Sequence, residues 1–465
     1  MSTRIVVVGG GTAGARLAQR LPVTLLGEEP HAPYNRVLLA DVLAGRYAPE
    51  VIALPGTREP VRLGVRAVRI DRAARTVECA DGSLVGYDRL VLATGSNPVL
   101  PPLRGLRGPA GAEPPEGVHA FRTLDDCLAL RDRVRPGTRA VVIGGGLLGV
   151  SAARALAAVG AEVVLTQQGE RLMERQLDAS ASELLREHVE ALGVEVHTEC
   201  RVSGLRQRDG GVTAVELADG FVLDAQVVVL ACGVRPRVAL AREAGLAVAT
   251  GIVVDDELRT SDPYVHAIGD CAEHAGRVYG LAGPALEQAD ALAEVLLASA
   301  AAPAPPGPPG PPAQGAGAAA TASAPGAAAA GTASTPRADA AGTDRGPSAA
   351  GADGASSVAG ADRAPSAAYT GTRALTRLTL GGAQPLDLAA FGETTALPGD
   401  DVVQLTDATR RAYRKVVVRG DRLVGGVLLG DLAAVGTLAR AWEGDEALPE
   451  EAPLLHLLTH DGGSS

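Results

Sequence analysis

The chain has 465 residues, 46% apolar but only 2% aromatic, with 58 Gly and 31 Pro. At about 150 residues per domain that length suits roughly three domains with aliphatic cores. The net charge of −11 excludes a nucleic-acid binder, which needs a basic face, and no apolar run of about 18 residues suits a membrane span.

No charged n-region and apolar h-region precede Ile5, so no secretory signal is expected. Cys79, Cys127, Cys200, Cys232 and Cys271 are far apart, odd in number and free of any CxxC spacing. A disulfide scaffold, a local zinc finger and a CxxC redox pair are excluded, no metal is expected, and a cytoplasmic setting is the default.

Ile5-Val6-Val7-Val8 is a short β-branched run, suited to a buried parallel strand. Gly9-Gly10-Gly11-Thr12-Ala13-Gly14 follows, then a helix over 12–20 and a strand over 23–26. This fits G-x-G-x-x-G. Gly9 permits the tight turn, Gly11 lets a pyrophosphate approach, and Gly14 lets the helix pack close. Thr12 and Ala13 open the helix, whose free N–H groups face the phosphates. An acid about 20 residues on binds a ribose hydroxyl. Glu28 holds that place, and its neighbour Glu29 could do the same.

The same grammar returns with a strand over 140–143, then Gly144-Gly145-Gly146-Leu147-Leu148-Gly149, a helix to about 159 and a strand over 162–166. Here Gln167 stands where the acid is expected. An acid favours NAD, and a nearby Arg accepts the NADP phosphate. Gln167 can donate to either, and Arg171 is close in sequence, so the choice of NADH or NADPH stays open, NADH slightly ahead. Two dinucleotide units in one chain suggest a flavoprotein that takes hydride from a nicotinamide cofactor.

Residues 299–368 are almost wholly Ala, Gly, Pro, Ser and Thr. Such a segment buries too little apolar area to offset its ordering entropy and is expected to be a disordered linker. Beyond it, 415–418 and 423–429 read as strands around Gly420-Asp421, followed by a helix over 431–442. The fold class is therefore α/β: two Rossmann-like domains plus a small C-terminal α+β domain, with a long disordered insertion. The expected division is an FAD-binding domain over 1–118 and 241–298, an NAD(P)-binding domain over 119–240, the linker, a C-terminal domain over 369–450 and a flexible tail over 451–465.

Ala93-Thr94-Gly95 and Ala231-Cys232-Gly233 resemble the paired ATG-type motifs of the two-dinucleotide-binding-domain flavoproteins. Ala267-Ile268-Gly269-Asp270 resembles their second FAD motif. More narrowly, Gly27-Glu28-Glu29-Pro30-His31-Ala32-Pro33-Tyr34-Asn35-Arg36, Arg171-Leu172-Met173-Glu174-Arg175-Gln176-Leu177-Asp178 and Tyr369-Thr370-Gly371-Thr372-Arg373 are similar to the FAD-containing front of large NAD(P)H nitrite reductase subunits and of assimilatory nitrate reductase electron-transfer subunits. The resemblance implies FAD as cofactor and NAD(P)H as substrate. It implies Asp270 with Gly269 at the ribitol, Arg36 at the FAD pyrophosphate, and Val68, Ala93, Thr94, Gly95 and Glu287 in the FAD site. It also implies Gly233 beside NAD(P), and a helix N-terminus near 280–288 aimed at the flavin pyrimidine end.

The departures are as informative. No cysteine follows Cys271, so no iron–sulfur quartet is expected. The Lys and Glu that the broader class often carries near the nicotinamide are replaced by Asp41 and Ser151. The implied activity is an FAD-dependent NAD(P)H oxidoreductase without a catalytic side chain, monomeric or homodimeric. Its acceptor would be a separate ferredoxin, rubredoxin or nitrite/nitrate reductase partner. A quinone or oxygen reductase and a flavin-bound redox sensor or scaffold are the alternatives.

Overall fold

The structure, a computed structural model, describes residues 3–107, 114–301, 368–381, 385–444, 447–448 and 455–459. The first half centres on a four-stranded parallel sheet in the spatial order Val265–Ala267, Arg89–Leu92, Ile5–Val8 and Thr24–Leu26. The strands are nearly continuous apolar runs, as suits a parallel sheet covered on both faces. The helices Thr12–Arg20 and Ala282–Ala301 bury Leu17, Ala289 and Leu292 against it. An antiparallel meander of Ala67–Asp71, Thr76–Cys79 and Leu84–Gly86 flanks this core.

The second half repeats the construction with five parallel strands: Val194–His197, Glu162–Thr166, Arg139–Ile143, Val227–Leu230 and Val118–Ala120. The chain crosses between the halves twice, and the crossings pair as an antiparallel ribbon of Ser96–Pro98 against Val234–Pro236. The helix Leu39–Leu43 of the first half packs on the helix Leu147–Ala158 of the second, and Leu39, Val42, Leu43 and Val150 share one core.

The C-terminal domain is a five-stranded antiparallel sheet, ordered Leu375–Leu380, Leu386–Gly392, Arg422–Leu429, Ala412–Arg419 and Asp401–Asp407. One face joins the core through Leu380, Leu386 and Leu388. The other is covered by the helix Val435–Gly444 through Leu438 and Trp442. Lys415, the one lysine of the sequence, donates from Nζ to Asp178 Oδ2 at 2.7 Å and to the Thr394 carbonyl at 2.9 Å. Tyr413 donates to the same carboxylate at 2.6 Å, so this knot ties the sheet to the second half.

Two boundaries expected from the sequence shift here. The linker expected from 299 begins later, because the helix Ala282–Ala301 runs on through 299–301. Residues 302–367 of the expected linker lie outside the described residues. The tail expected to be flexible contains the helix His456–Thr459, whose Leu458 is fully buried under the C-terminal sheet. No described helix is long and apolar enough to cross a membrane.

Candidate active site: two glycine cradles facing one cavity

Both glycine loops are built alike. Gly9 and Gly144 sit at φ +119° and +115°, a region open to glycine. Gly9 N–H donates to the Leu26 carbonyl and Gly144 N–H to the Thr166 carbonyl, each at 2.8 Å. A Cβ on Gly14 would fall on the Gly9 carbonyl oxygen, and one on Gly149 on the Gly144 carbonyl. These two glycines thus bring helix and loop together, while Gly11 and Gly146 have open space where a Cβ would stand.

The helices that follow have Gly11 and Gly146 as N-caps, with no side-chain cap and no acid in the first turn. Their N–H groups and positive dipole ends are left for an anion. Both N-termini open into one cavity of about 970 Å³. Gly9, Gly11, Thr12, Ala13, Glu28, Arg36, Ala93, Thr94, Gly95, Gly269 and Asp270 line it from the first half. Gly144, Gly146, Leu147, Gln167 and Gly233 line it from the second, and Arg377 and Leu378 from the C-terminal sheet.

The polar side chains are committed to specific partners. Asp270 Oδ2 accepts from Ser96 Oγ at 2.9 Å and from Arg122 Nη2 at 2.6 Å. Arg122 was not singled out from the sequence. The only local signal was the capping box of Thr123 with Asp126 just after it. Glu28 reaches the cavity but forms an ion pair with Arg237, one contact being 3.0 Å. Arg36 donates to the Arg122 carbonyl and the Tyr34 hydroxyl, each at 2.9 Å, and to Glu29. Burial pushes the Tyr34 hydroxyl well above its ordinary range, so it stays a donor to Glu29. The N-terminus of Ala282–Ala301, with no acid in its first turn, meets the cavity through Gly280, Leu281, Ala282 and Ala285.

Three implied residues do not reach the cavity. Val68 sits on the flanking meander beside a small pocket with Arg72 and Glu243, and Leu63 lines the main cavity instead. Glu287 turns towards Thr372, whose Oγ1 donates to it at 2.7 Å. Arg171 lies beside Glu170 at 3.5 Å and is absent from the lining, which carries Arg175 and Arg201 instead. The charge pair missing at 41 and 151 reappears with its sign reversed. Asp41 accepts from the buried Arg154, one turn past Ser151, at 2.9 Å. The Ser151 hydroxyl bonds back to the Leu147 carbonyl at 2.8 Å.

Two dinucleotide cradles that share one cavity, joined by a crossover ribbon, define the class of two-Rossmann-domain oxidoreductases. The chain belongs to the pyridine nucleotide-disulphide oxidoreductase family, which matches residues 3–289. Residues 383–444 match the rubredoxin NAD+ reductase C-terminal domain. The chain is 33% identical to the NAD(P)H nitrite reductase large subunit of Klebsiella oxytoca, over 98% of this chain and 42% of that one. It is 36% identical to the assimilatory nitrate reductase electron transfer subunit of Bacillus subtilis, over 62% of this chain and 38% of that one. It thus spans less than half the length of either relative. Among solved structures, putidaredoxin reductase in covalent complex with putidaredoxin matches at a TM-score of 0.73 and 22% identity, covering 100% of both chains. At that identity the likeness shows the fold.

Proposed function

We propose that the chain is an FAD-dependent NAD(P)H oxidoreductase of the cytoplasm that hands electrons to a separate acceptor protein. The observation that carries this is the pair of uncapped, glycine-cut helix N-termini opening into one cavity. A Cβ would fill either cradle, and no acid repels a pyrophosphate from either first turn, so the residues fit two dinucleotides.

The Gly9–Gly14 loop binds the FAD pyrophosphate through backbone N–H groups. Asp270, held by Ser96 and Arg122, accepts from ribitol hydroxyls. Glu28, with Arg237, stands at the adenosine ribose. The Gly144–Gly149 loop would hold the pyrophosphate of NAD(P)H through backbone N–H groups in the cavity that the first cradle shares. FAD, when bound, supplies the redox chemistry: it takes hydride from NAD(P)H and releases electrons to the acceptor. No side-chain acid or base is required, and the residues supply distance and orientation. The Ala282–Ala301 N-terminus favours negative charge at its end of the cavity.

The acceptor read from the relatives is a ferredoxin, a rubredoxin or a nitrite/nitrate reductase partner. Stopped-flow mixing of the yellow protein with NADH or NADPH should bleach the flavin band, and an added ferredoxin or rubredoxin should restore it. A colourless protein, or no bleaching with either nucleotide, overturns the reading. Turnover with menadione but with no redox protein would move the acceptor to a small molecule.

A further inference from the structure

The end of the cavity beyond Gln167 is assembled from three separate loops. The segment after the Val194–His197 strand is zipped onto the segment after Glu162–Thr166. Gln167 N–H donates to the His197 carbonyl at 2.8 Å, Cys200 N–H to the Gln167 carbonyl at 2.9 Å, and Glu199 N–H to the Gly169 carbonyl at 2.9 Å. This sets Arg201 beside the strand end, and its own carbonyl is pinned by Ala218 N–H at 2.8 Å. A third turn hangs from the glycine loop, because Met173 N–H donates to the Gly145 carbonyl at 2.9 Å. Arg175 projects from that turn.

Both arginine-bearing segments contain a non-glycine residue in the left-handed region, Met173 at φ +50° and Glu199 at φ +53°. Such conformations persist only where the surroundings over-determine them. Arg175 and Arg201 line the cavity and are exposed, and among the described residues neither makes an ion pair. Gln167 uses its carbonyl oxygen to accept Gly145 N–H at 2.8 Å, so its amide NH2 is the free donor. The lining carboxylates are Glu28, Glu29, Glu174 and Asp270. Only Glu174 belongs to this half, and it sits over Gly169.

A ribose diol needs an acid at the strand end; Gln167 stands there instead, and the one lining carboxylate of this half, Glu174, is set over Gly169. A ribose phosphate needs donors and positive charge, and here there are two guanidinium forks and an amide. We propose that this end of the cavity is a subsite for the 2′-phosphate of an adenosine ribose, so that the protein takes NADPH in preference to NADH. This reverses the slight lean towards NADH read from the sequence, and it rests on the reading of Gly144–Gly149 as the nicotinamide-dinucleotide cradle.

The test uses the full-length, FAD-loaded protein. In calorimetry, 2′,5′-ADP should bind at least about tenfold more tightly than 5′-AMP, because two charge-assisted contacts are added. That advantage should shrink as salt is raised. Arg201→Leu should abolish most of it, Arg201→Lys should restore part, and Arg175→Leu should lower it independently. Equal binding of the two nucleotides, or an advantage that survives both Leu substitutions together, overturns the proposal. If Arg201→Leu loses its flavin spectrum, the Arg201→Lys and Arg175→Leu arms decide. Stopped-flow separates the two readings. A flavin bleached by neither nucleotide defeats the reductase assignment itself. One bleached by NADH at least as fast as by NADPH, with equal binding of 2′,5′-ADP and 5′-AMP, defeats only this subsite.

Discussion

Replacing Asp41 with Asn isolates the reversed charge pair between the two halves. Arg154 is only 3% exposed, its Nη2 meets Asp41 Oδ1 at 2.9 Å, and its Nε and Nη1 have no partner among the described residues. Neutralising Asp41 therefore strands a buried guanidinium. Removing one partner of a buried pair costs about 3–5 kcal/mol. Asp41 is itself 20% exposed and also faces Arg46 at 3.5 Å, which argues for the lower end, about 3 kcal/mol. Arg154→Leu removes the cation, keeps apolar bulk and leaves Asp41 with Arg46, so its cost should be roughly 1 kcal/mol. The double variant buries no unpaired charge and should also lose only about 1 kcal/mol, giving a coupling of roughly 3 kcal/mol. Urea unfolding of all four FAD-saturated proteins, followed by far-UV circular dichroism, measures the cycle. If Asp41→Asn lies within about 0.5 kcal/mol of the parent, the guanidinium does not depend on Asp41 and the reasoning is wrong.

Gly14→Ala should weaken FAD binding by about ten- to hundredfold, since its Cβ overpacks the first cradle. Gly149→Ala should keep the flavin spectrum yet respond poorly to NADPH and NADH, which absorbance titration distinguishes. Burial raises the Asp178 carboxyl, but hydrogen bonds from Lys415, Tyr413 and Ala181 N–H outweigh it and hold the group below the ordinary carboxylate range. That stabilisation is present above about pH 4 and is lost as pH falls through the depressed value. Lys415→Met should therefore cost about 2–4 kcal/mol at neutral pH in urea melts, and less in acid. Burial, with Arg259 and Arg89 nearby, lowers His266 to a pKa of about 4. It must stay neutral when folded, so stability should fall by about 2 kcal/mol between pH 7 and 5. His119 and His188, also lowered by burial, add to that slope. His266→Gln should flatten it, and an unchanged slope would mean His266 takes up its proton in the folded state.

The legibility of this chain follows the range of its interactions. The glycine loops could be read because each motif is local: strand, turn and helix N-terminus lie within some 15 residues, and the observed helix Thr12–Arg20 and strand Glu162–Thr166 match the sequence reading. Strands 375–380, 386–392 and 401–407 were missed for different reasons. Asp401–Asp407 is an edge strand whose inner positions are only half-buried, so its alternation carries little apolar contrast, and Leu386–Gly392 is buried on both faces and does not alternate. Val68 and Arg171 were placed by resemblance and by nearness in sequence, whereas proximity to the cavity is set by sheet edges. Arg201 is brought to the cavity by backbone hydrogen bonds of Gln167 with His197 and Cys200, 30 and 33 residues away, and Arg122 by a side-chain ion pair with Asp270 across 148 residues. No window of a single sequence holds such information.

The single side-chain amine of this protein is locked away. Lys415 is 9% exposed and its Nζ is held by a carboxylate and a carbonyl. Acylating and amine-directed cross-linking reagents need an accessible, uncharged nitrogen, and the folded surface offers them no lysine at all. Capturing an acceptor protein chemically must therefore go through groups other than lysine, such as the surface carboxylates. Conversely, any acylation of Lys415 records a moment when the C-terminal sheet has parted from Asp178. The residue is thus a built-in reporter, needing no engineered probe, for how often that domain opens.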